Sequence, residues 1–215
     1  VDLTKDKKGV ASFYLLQIKP MVVGEEENNI HLDTMDDEQV VLFSERSMGH
    51  GRIDHIRDVI FVDPEKFNNN RTIEMTEEIE KLNRQMVEQN KQYILIGPGR
   101  WGTRDKFIGI PVVWSQISNA KVIVEMGLED YPLDASLGSH FFHNLTSMNV
   151  GYLSIANTIG RNLIHWDKLK NQQVVEETRH FKHVQFDQPL TIVMDGKRMK
   201  SAVITNQQQK PDDQK

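Results

Sequence analysis

The sequence predicts an α/β fold, a mixed sheet with flanking helices and a carboxy-terminal β-hairpin, and three observations carry that prediction. Short runs of β-formers stand between Gly and Pro punctuation, as in "VVLFSE" from Val40, "DVIFVDP" from Asp58, "YILIGP" from Tyr93 and "AKVIVEMG" from Ala120. A segment with apolar residues at helical spacing, "TEEIEKLNRQMVEQN" from Thr76, lies between two of those runs, and helix alternating with apolar strand is the α/β pattern. Near the end "LTIVMDGKRMKSAVI" reads as two strands about an Asp195-Gly196 type I′ turn.

Taken in order, "GVASFYLLQIKPM" from Gly9 is rich in β-formers and reads as a strand stopped by Pro20. The acidic "GEEENNIHLDTMDDEQ" that follows reads as a loop, with a boundary near Gly24. "RSMGHGRIDHIR" is a loop between the strands at Val40 and Asp58, the second of which closes at Pro64. In the helix Ile79, Leu82 and Met86 share a face, and Glu77, Glu78 and Glu80 suit the positive end of its dipole. "IPVVW" from Ile110 and "VGYLSIA" from Val150 read as strands and "SHFFHNLTSM" from Ser139 as a helix. The last residues, "NQQQKPDDQK", form a polar tail of the kind that stays disordered.

A net charge of -5 gives no electrostatic case for nucleic acid or an anionic membrane, so any phosphate recognition has to be local. The absence of cysteine excludes disulfides, thiol nucleophiles and zinc ribbons. No apolar run approaches the roughly 20 residues of a membrane span, no signal-peptide pattern opens the chain, and the expectation is a cytoplasmic protein. Val1 stands where a methionine starts most proteins, and the expectation is a piece of a longer polypeptide.

Leu16, Gln17, Ile18, Lys19 and Pro20 resemble the last strand of the ATP-grasp nucleotide-binding domain of phosphoenolpyruvate synthases and pyruvate phosphate dikinases, which finishes on apolar residues, Leu-Gln, any residue, Arg-Pro. The resemblance implies that Gln17 and Lys19 face the phosphates of ATP and its Mg²⁺ in the parent protein. Lysine in place of arginine keeps the charge and loses the bidentate fork. The segments "SMGHGRIDHIRDVIFVDP", "YILIGPGRWGTRDKFIGIPVVWSQISNAKVIVE" and "LGSHFFHNLTSMNVGYLSI" are similar to the region that follows this domain in bacterial phosphoenolpyruvate synthase-like proteins. The resemblance therefore implies residues 1–23 as the end of an ATP-grasp domain, 24–206 as a carboxy-terminal α/β domain and 207–215 as a tail. It implies a fragment of an ATP-dependent phosphotransferase that is inactive alone and partners the upstream ATP-grasp domain. The alternative is a non-catalytic regulatory or assembly module on that domain.

Three further patterns bear on chemistry. Gly97, Gly99 and Gly102, with Arg100 and Arg104, either cradle a small phosphate ligand on backbone amides or make a structural turn in which Trp101 packs. The spacing fits Gly-x-Gly-x-x-Gly, but "TRDKFIGIP" after it makes a poor helix, and no Walker Gly-Lys-Ser/Thr follows. Ser139-His140 resembles the end of the phosphohistidine loop of the dikinases, which implies a phosphocarrier role for His140; both loop glycines are replaced, by Ala135 and Ser136, and the alternative is a structural one in which histidines near a helix start bond locally. His140 and His143 lack an acidic third metal ligand at a helical interval. His50, Arg52, His55 and Arg57 share one predicted loop with Glu45 and Asp54, which either grips an anion or is a salt-bridged turn.

Overall fold

The computed structural model describes residues 2–5, 11–14, 32, 35, 37–131, 133, 145, 147–156 and 162–206. Gln17, Lys19, His140 and His143 lie outside them, as do most of the helix expected from Ser139 and residues 207–215 of the tail. β1 (Asp2–Lys5) and β2 (Ala11–Tyr14) pair antiparallel in a sheet of their own; β2 is the part of the first expected strand that is described.

Everything else is organised by one mixed sheet of ten strands. Its members are β3 (Val40–Ser44), β4 (Ser47–Met48), β5 (Gly51–Val62), β6 (Tyr93–Pro98), β9 (Ala120–Met126), β10 (Gly151–Ile155), β11 (Leu163–Ile164), β12 (Gln173–Glu177), β13 (Phe181–Asp195) and β14 (Lys200–Ile204). They run in the order β11-β3-β14-β13-β5-β6-β9-β10-β4, and β12 adds to β13. β5, β6, β9 and β10 are parallel to one another; every other pairing is antiparallel. Outside this sheet, β7 (Arg100–Trp101) pairs with β8 (Gly109–Ile110).

β3 and β4 are separated by two residues, yet they stand near opposite ends of this order. The sheet curls until its ends meet. Ser44 Oγ donates to the Ser154 carbonyl at 2.8 Å, the Ser154 amide to the Arg46 carbonyl at 2.8 Å, and Ser201 Oγ to Ser47 Oγ at 2.7 Å. Bonds across the seam satisfy backbone groups that an open edge would expose. Inside the curl lie Val41, Phe61, Ile94, Val124, Leu153 and Ile192, each at most 1% exposed. Trp166 and Leu169 of α2 (Trp166–Lys170) close one mouth, with the Trp166 ring 5.7 Å from Phe61.

The outer face of the parallel strands is covered by α1 (Thr72–Glu88), whose Met75, Ile79, Leu82 and Met86 meet Tyr93, Leu95 and Ile123. The helix starts four residues before the expected Thr76, because a short 3-10 turn over Asn69–Arg71, capped by the Asn68 side chain, leads straight into it. Asn90 ends it in the left-handed conformation, φ 52°, as a C′ asparagine does.

Three expectations are corrected. "GHGRIDHIR" is strand rather than loop: β5 begins at Gly51 and pairs along the length of β13. Its alternation is hidden by register shifts opposite Gln185, Leu190 and Ile192. His55 accordingly turns to Gln92 and Arg57 to the Phe186 carbonyl, away from any common ligand. "IPVVW" is not a strand beyond Ile110, since Pro111 offers no amide and the Val112 amide turns back to the Ile110 carbonyl at 2.8 Å; a 3-10 turn over Trp114–Ile117 follows. The last hairpin does not turn on two residues. Asp195 pairs with Lys200 across a four-residue loop, because the Asp195 carboxylate captures the amides of Lys197 and Arg198, and the positive φ falls on Met199.

Charge ties α1 to the β12–β13 turn. Burial disfavours the Glu78 carboxylate, but Thr178 Oγ1, the His180 amide and the His180 ring outweigh it and hold its pKa below the ordinary value. Asp63 is likewise held low against its burial by Lys182 and the Glu65 amide. A carboxylate with a depressed folded pKa stabilises fully above its unfolded value, about 4, and loses that contribution as pH falls through the folded value. The urea midpoint is therefore expected to be level down to about pH 5 and to drop below it, and Glu78→Gln to lower the plateau and flatten the drop. An acid limb of unchanged steepness in Glu78→Gln would rule this linkage out.

Candidate functional site

The four parallel strands bring their carboxyl ends, Val62, Pro98, Met126 and Ile155, to one edge of the sheet, where ligand sites of α/β folds gather. The glycine-arginine turn lies on that edge. Gly97, the penultimate residue of β6, lies directly under the Trp101 indole: a Cβ there would stand 2.3 Å from Cζ2. Gly99 and Gly102 take φ of 68° and 69°, values that favour glycine. Trp101 is 1% exposed, and its indole N–H donates to the Val124 carbonyl at 3.1 Å.

The backbone of the turn is fully engaged. The amide of Gly99 donates to the Met126 carbonyl at 2.9 Å, that of Arg100 to Ile108 at 3.0 Å, and that of Gly102 to Ile110 at 2.9 Å. The Trp101 amide donates to Glu125 Oε1 at 3.0 Å. Four successive amides are thus spent on acceptors of the chain, whereas an anion nest needs them pointing outward together. The structure therefore brings Gly97, Gly99, Arg100 and Gly102 together as a turn built around Trp101, with Arg104 exposed two residues beyond it. The backbone cradle expected as one of two readings is not formed.

Glu125, the acceptor in this turn, was not a candidate in the sequence. It is 0% exposed, and Tyr152 Oη donates to its Oε2 at 2.6 Å. Strand register sets Gly97 and Ser154 on either side of it. The signal was a lone acid in the apolar run "KVIVEM", because a carboxylate at a buried strand position has to be held by donors. Ser154 Oγ beside it is buried and has no hydrogen-bond partner among the described residues.

Two cavities flank Leu128 and Glu129 on the same edge. One, of about 350 Å³, is bounded by Met126, Glu129, Asn162, Ile164 and Trp166; the other, of about 420 Å³, by Phe67, Asn68, Asn69, Asp130 and Tyr131. The Phe67 and Tyr131 rings meet at a tilt, centroids 5.0 Å apart and planes at 59°, and burial with the nearby Asp105 pushes the Tyr131 phenol up to about 12. With two exposed carboxylates and several amides at the rim, this edge disfavours an anion. No cluster of three metal-ligating side chains occurs among the described residues, and no helix among them is long and apolar enough to cross a membrane. No protein-family model, curated protein or solved structure matches the chain.

Proposed function

We propose that the chain is the carboxy-terminal portion of an ATP-dependent phosphotransferase of the phosphoenolpyruvate synthase or pyruvate phosphate dikinase type. In this reading residues 40–206 serve it as a non-catalytic α/β module beside the nucleotide-binding domain. The parent reading is supported by the resemblance of "LLQIKP" and of the long segments between Ser47 and Ile155. In that parent, Gln17 and Lys19 complete the ATP site and Mg²⁺ accompanies the nucleotide. The module reading is carried by one observation: the amides from Gly99 to Gly102 are committed within the fold. Phosphoryl transfer relies on positioned cations and donors around the phosphates, and a turn whose amides are committed within the fold, beside exposed Glu129 and Asp130, does not fit the phosphates of ATP. No phosphoryl step is assigned to residues 40–206.

Calorimetry separates the two roles of the turn. Pyrophosphate, phosphoenolpyruvate and ATP titrated into this chain and into Arg100→Ala are expected to give identical heats. A heat present in the first and missing in the second would return the ligand to the turn. The parent's activity is read separately, by incubating the intact polypeptide with pyruvate and ATP labelled on the β-phosphate and following phosphoenolpyruvate. Acid-labile label on His140 in that experiment would make the module a phosphocarrier and end the non-catalytic reading.

A further inference from the structure

The opposite end of the curled sheet carries a cavity of about 290 Å³ lined by His50, Gly51, Arg52, Ile53, Lys121, Asn149 and Met194. These residues are distant in sequence. His50 immediately precedes β5 and Arg52 comes from its start, Lys121 from the amino end of β9, and Asn149 from the approach to β10. Met194 of β13 packs between Gly49 and Gly151: a Cβ on either glycine would lie 2.7 Å from its sulfur.

The lining is rich in hydrogen-bond donors and contains no carboxylate. Lys121 Nζ gives one of its three protons to the Asn149 carbonyl at 2.7 Å. Arg52 meets Asp54 through Nε at 2.7 Å, which leaves the outer fork of the guanidinium for another acceptor. Asp54 itself is outside the lining and accepts from Thr191 Oγ1 at 2.7 Å as well. The Gly196 amide reaches His50 Nδ1 at 3.4 Å, so the proton of the neutral ring is assigned to Nε2, which becomes a donor. That same contact brings the β13–β14 turn, with the exposed Lys197 and Arg198, beside the cavity.

We propose that this cavity is a binding site for a small phosphoryl-bearing anion, held by Arg52 and Lys121 with His50 and Asn149 as further donors. Lys121 and the outer fork of Arg52, from different strands, converge on a concavity whose lining holds no carboxylate, and Asp54 offsets part of the Arg52 charge from outside it. A site of about 290 Å³ lies at the small end of protein ligand pockets and suits phosphate or pyrophosphate. The planar guanidinium fork matches a phosphoryl group. The site stands apart from the module reading, since it uses neither the glycine turn nor the parent's chemistry.

The test is an amide-resolved NMR titration of the whole chain with inorganic phosphate, pyrophosphate and, as a carboxylate control, acetate. Saturable shifts are expected at Gly51, Asn149 and Gly196 with the two phosphates and not with acetate. Lys121→Gln and Arg52→Gln should each weaken pyrophosphate at least about tenfold, because each removes a charge-assisted donor. Arg100→Ala should leave the affinity as it is. Both substituted side chains are partly or fully exposed, so equal thermal midpoints are expected, and either variant carries the test if the other misfolds. Absence of saturable shifts at those three amides, equal response to acetate, or full affinity in both variants overturns the proposal.

Discussion

Gly97→Ala is expected to lose at least about 3 kcal/mol of unfolding free energy, read as a lower urea midpoint with an unchanged slope. The added methyl would stand 2.3, 2.9 and 3.0 Å from three indole carbons of Trp101. Neither side can yield cheaply. Gly97 is held in β6, opposite Glu125 of β9, while the indole is 1% exposed and tied down by its own N–H and by the Trp101 amide. Relief requires expelling the ring, and loss of a buried Trp costs about 3–5 kcal/mol. Trp101→Leu should be costly alone but should make the second change, Gly97→Ala, milder than in the parent, since adjacent sites couple. A loss below about 1 kcal/mol would mean that the indole does not rest on Gly97.

What could be read in the sequence follows from where the determining contacts lie. β3, β6, β9, β10 and α1 are fixed by local signals: runs of Val and Ile between Gly or Pro, and Met75, Ile79, Leu82 and Met86 at helical spacing. The amino half of β5 was missed because bulges in its pairing with β13 break the alternation that marks a strand. The curl was invisible for a different reason. It depends on hydrogen bonds such as that from Ser44 to Ser154, 110 residues apart, which leave no local trace. In the glycine turn, spacing told only that the backbone is permissive. The destinations of its amides, which decide between cradle and turn, are carbonyls of Met126, Ile108 and Ile110 and a carboxylate of β9. Lys121 was likewise unreadable as a neighbour of His50 and Arg52, since the antiparallel pairing of β4 with β10 and the parallel pairing of β10 with β9 are what bring the residues before and at the start of β5 to Asn149 and Lys121.

The second large effect belongs to Glu125. Tyr152→Phe takes a hydrogen bond from a buried carboxyl group, which costs about 1–3 kcal/mol. Glu125→Leu should cost about as much or more, because it removes the carboxyl acceptor of both the Trp101 amide and the Tyr152 hydroxyl. The two changes differ in where the damage appears. Tyr152→Phe keeps the Trp101 amide bonded, so hydrogen exchange at that amide should change only with global stability. Glu125→Leu frees it, and exchange at Trp101 should accelerate beyond the global loss, together with its neighbours Arg100 and Gly102. In a double-mutant cycle, Glu125→Gln with Tyr152→Phe should show a coupling of at least about 1 kcal/mol. A coupling near zero, with Trp101 exchange following global stability in Glu125→Leu, would mean that the turn is held by its carbonyl bonds alone. Glu125 joins the turn to β10 through two donors on different elements, so its removal should loosen the outer edge of the parallel strands before it disturbs the core inside the curl.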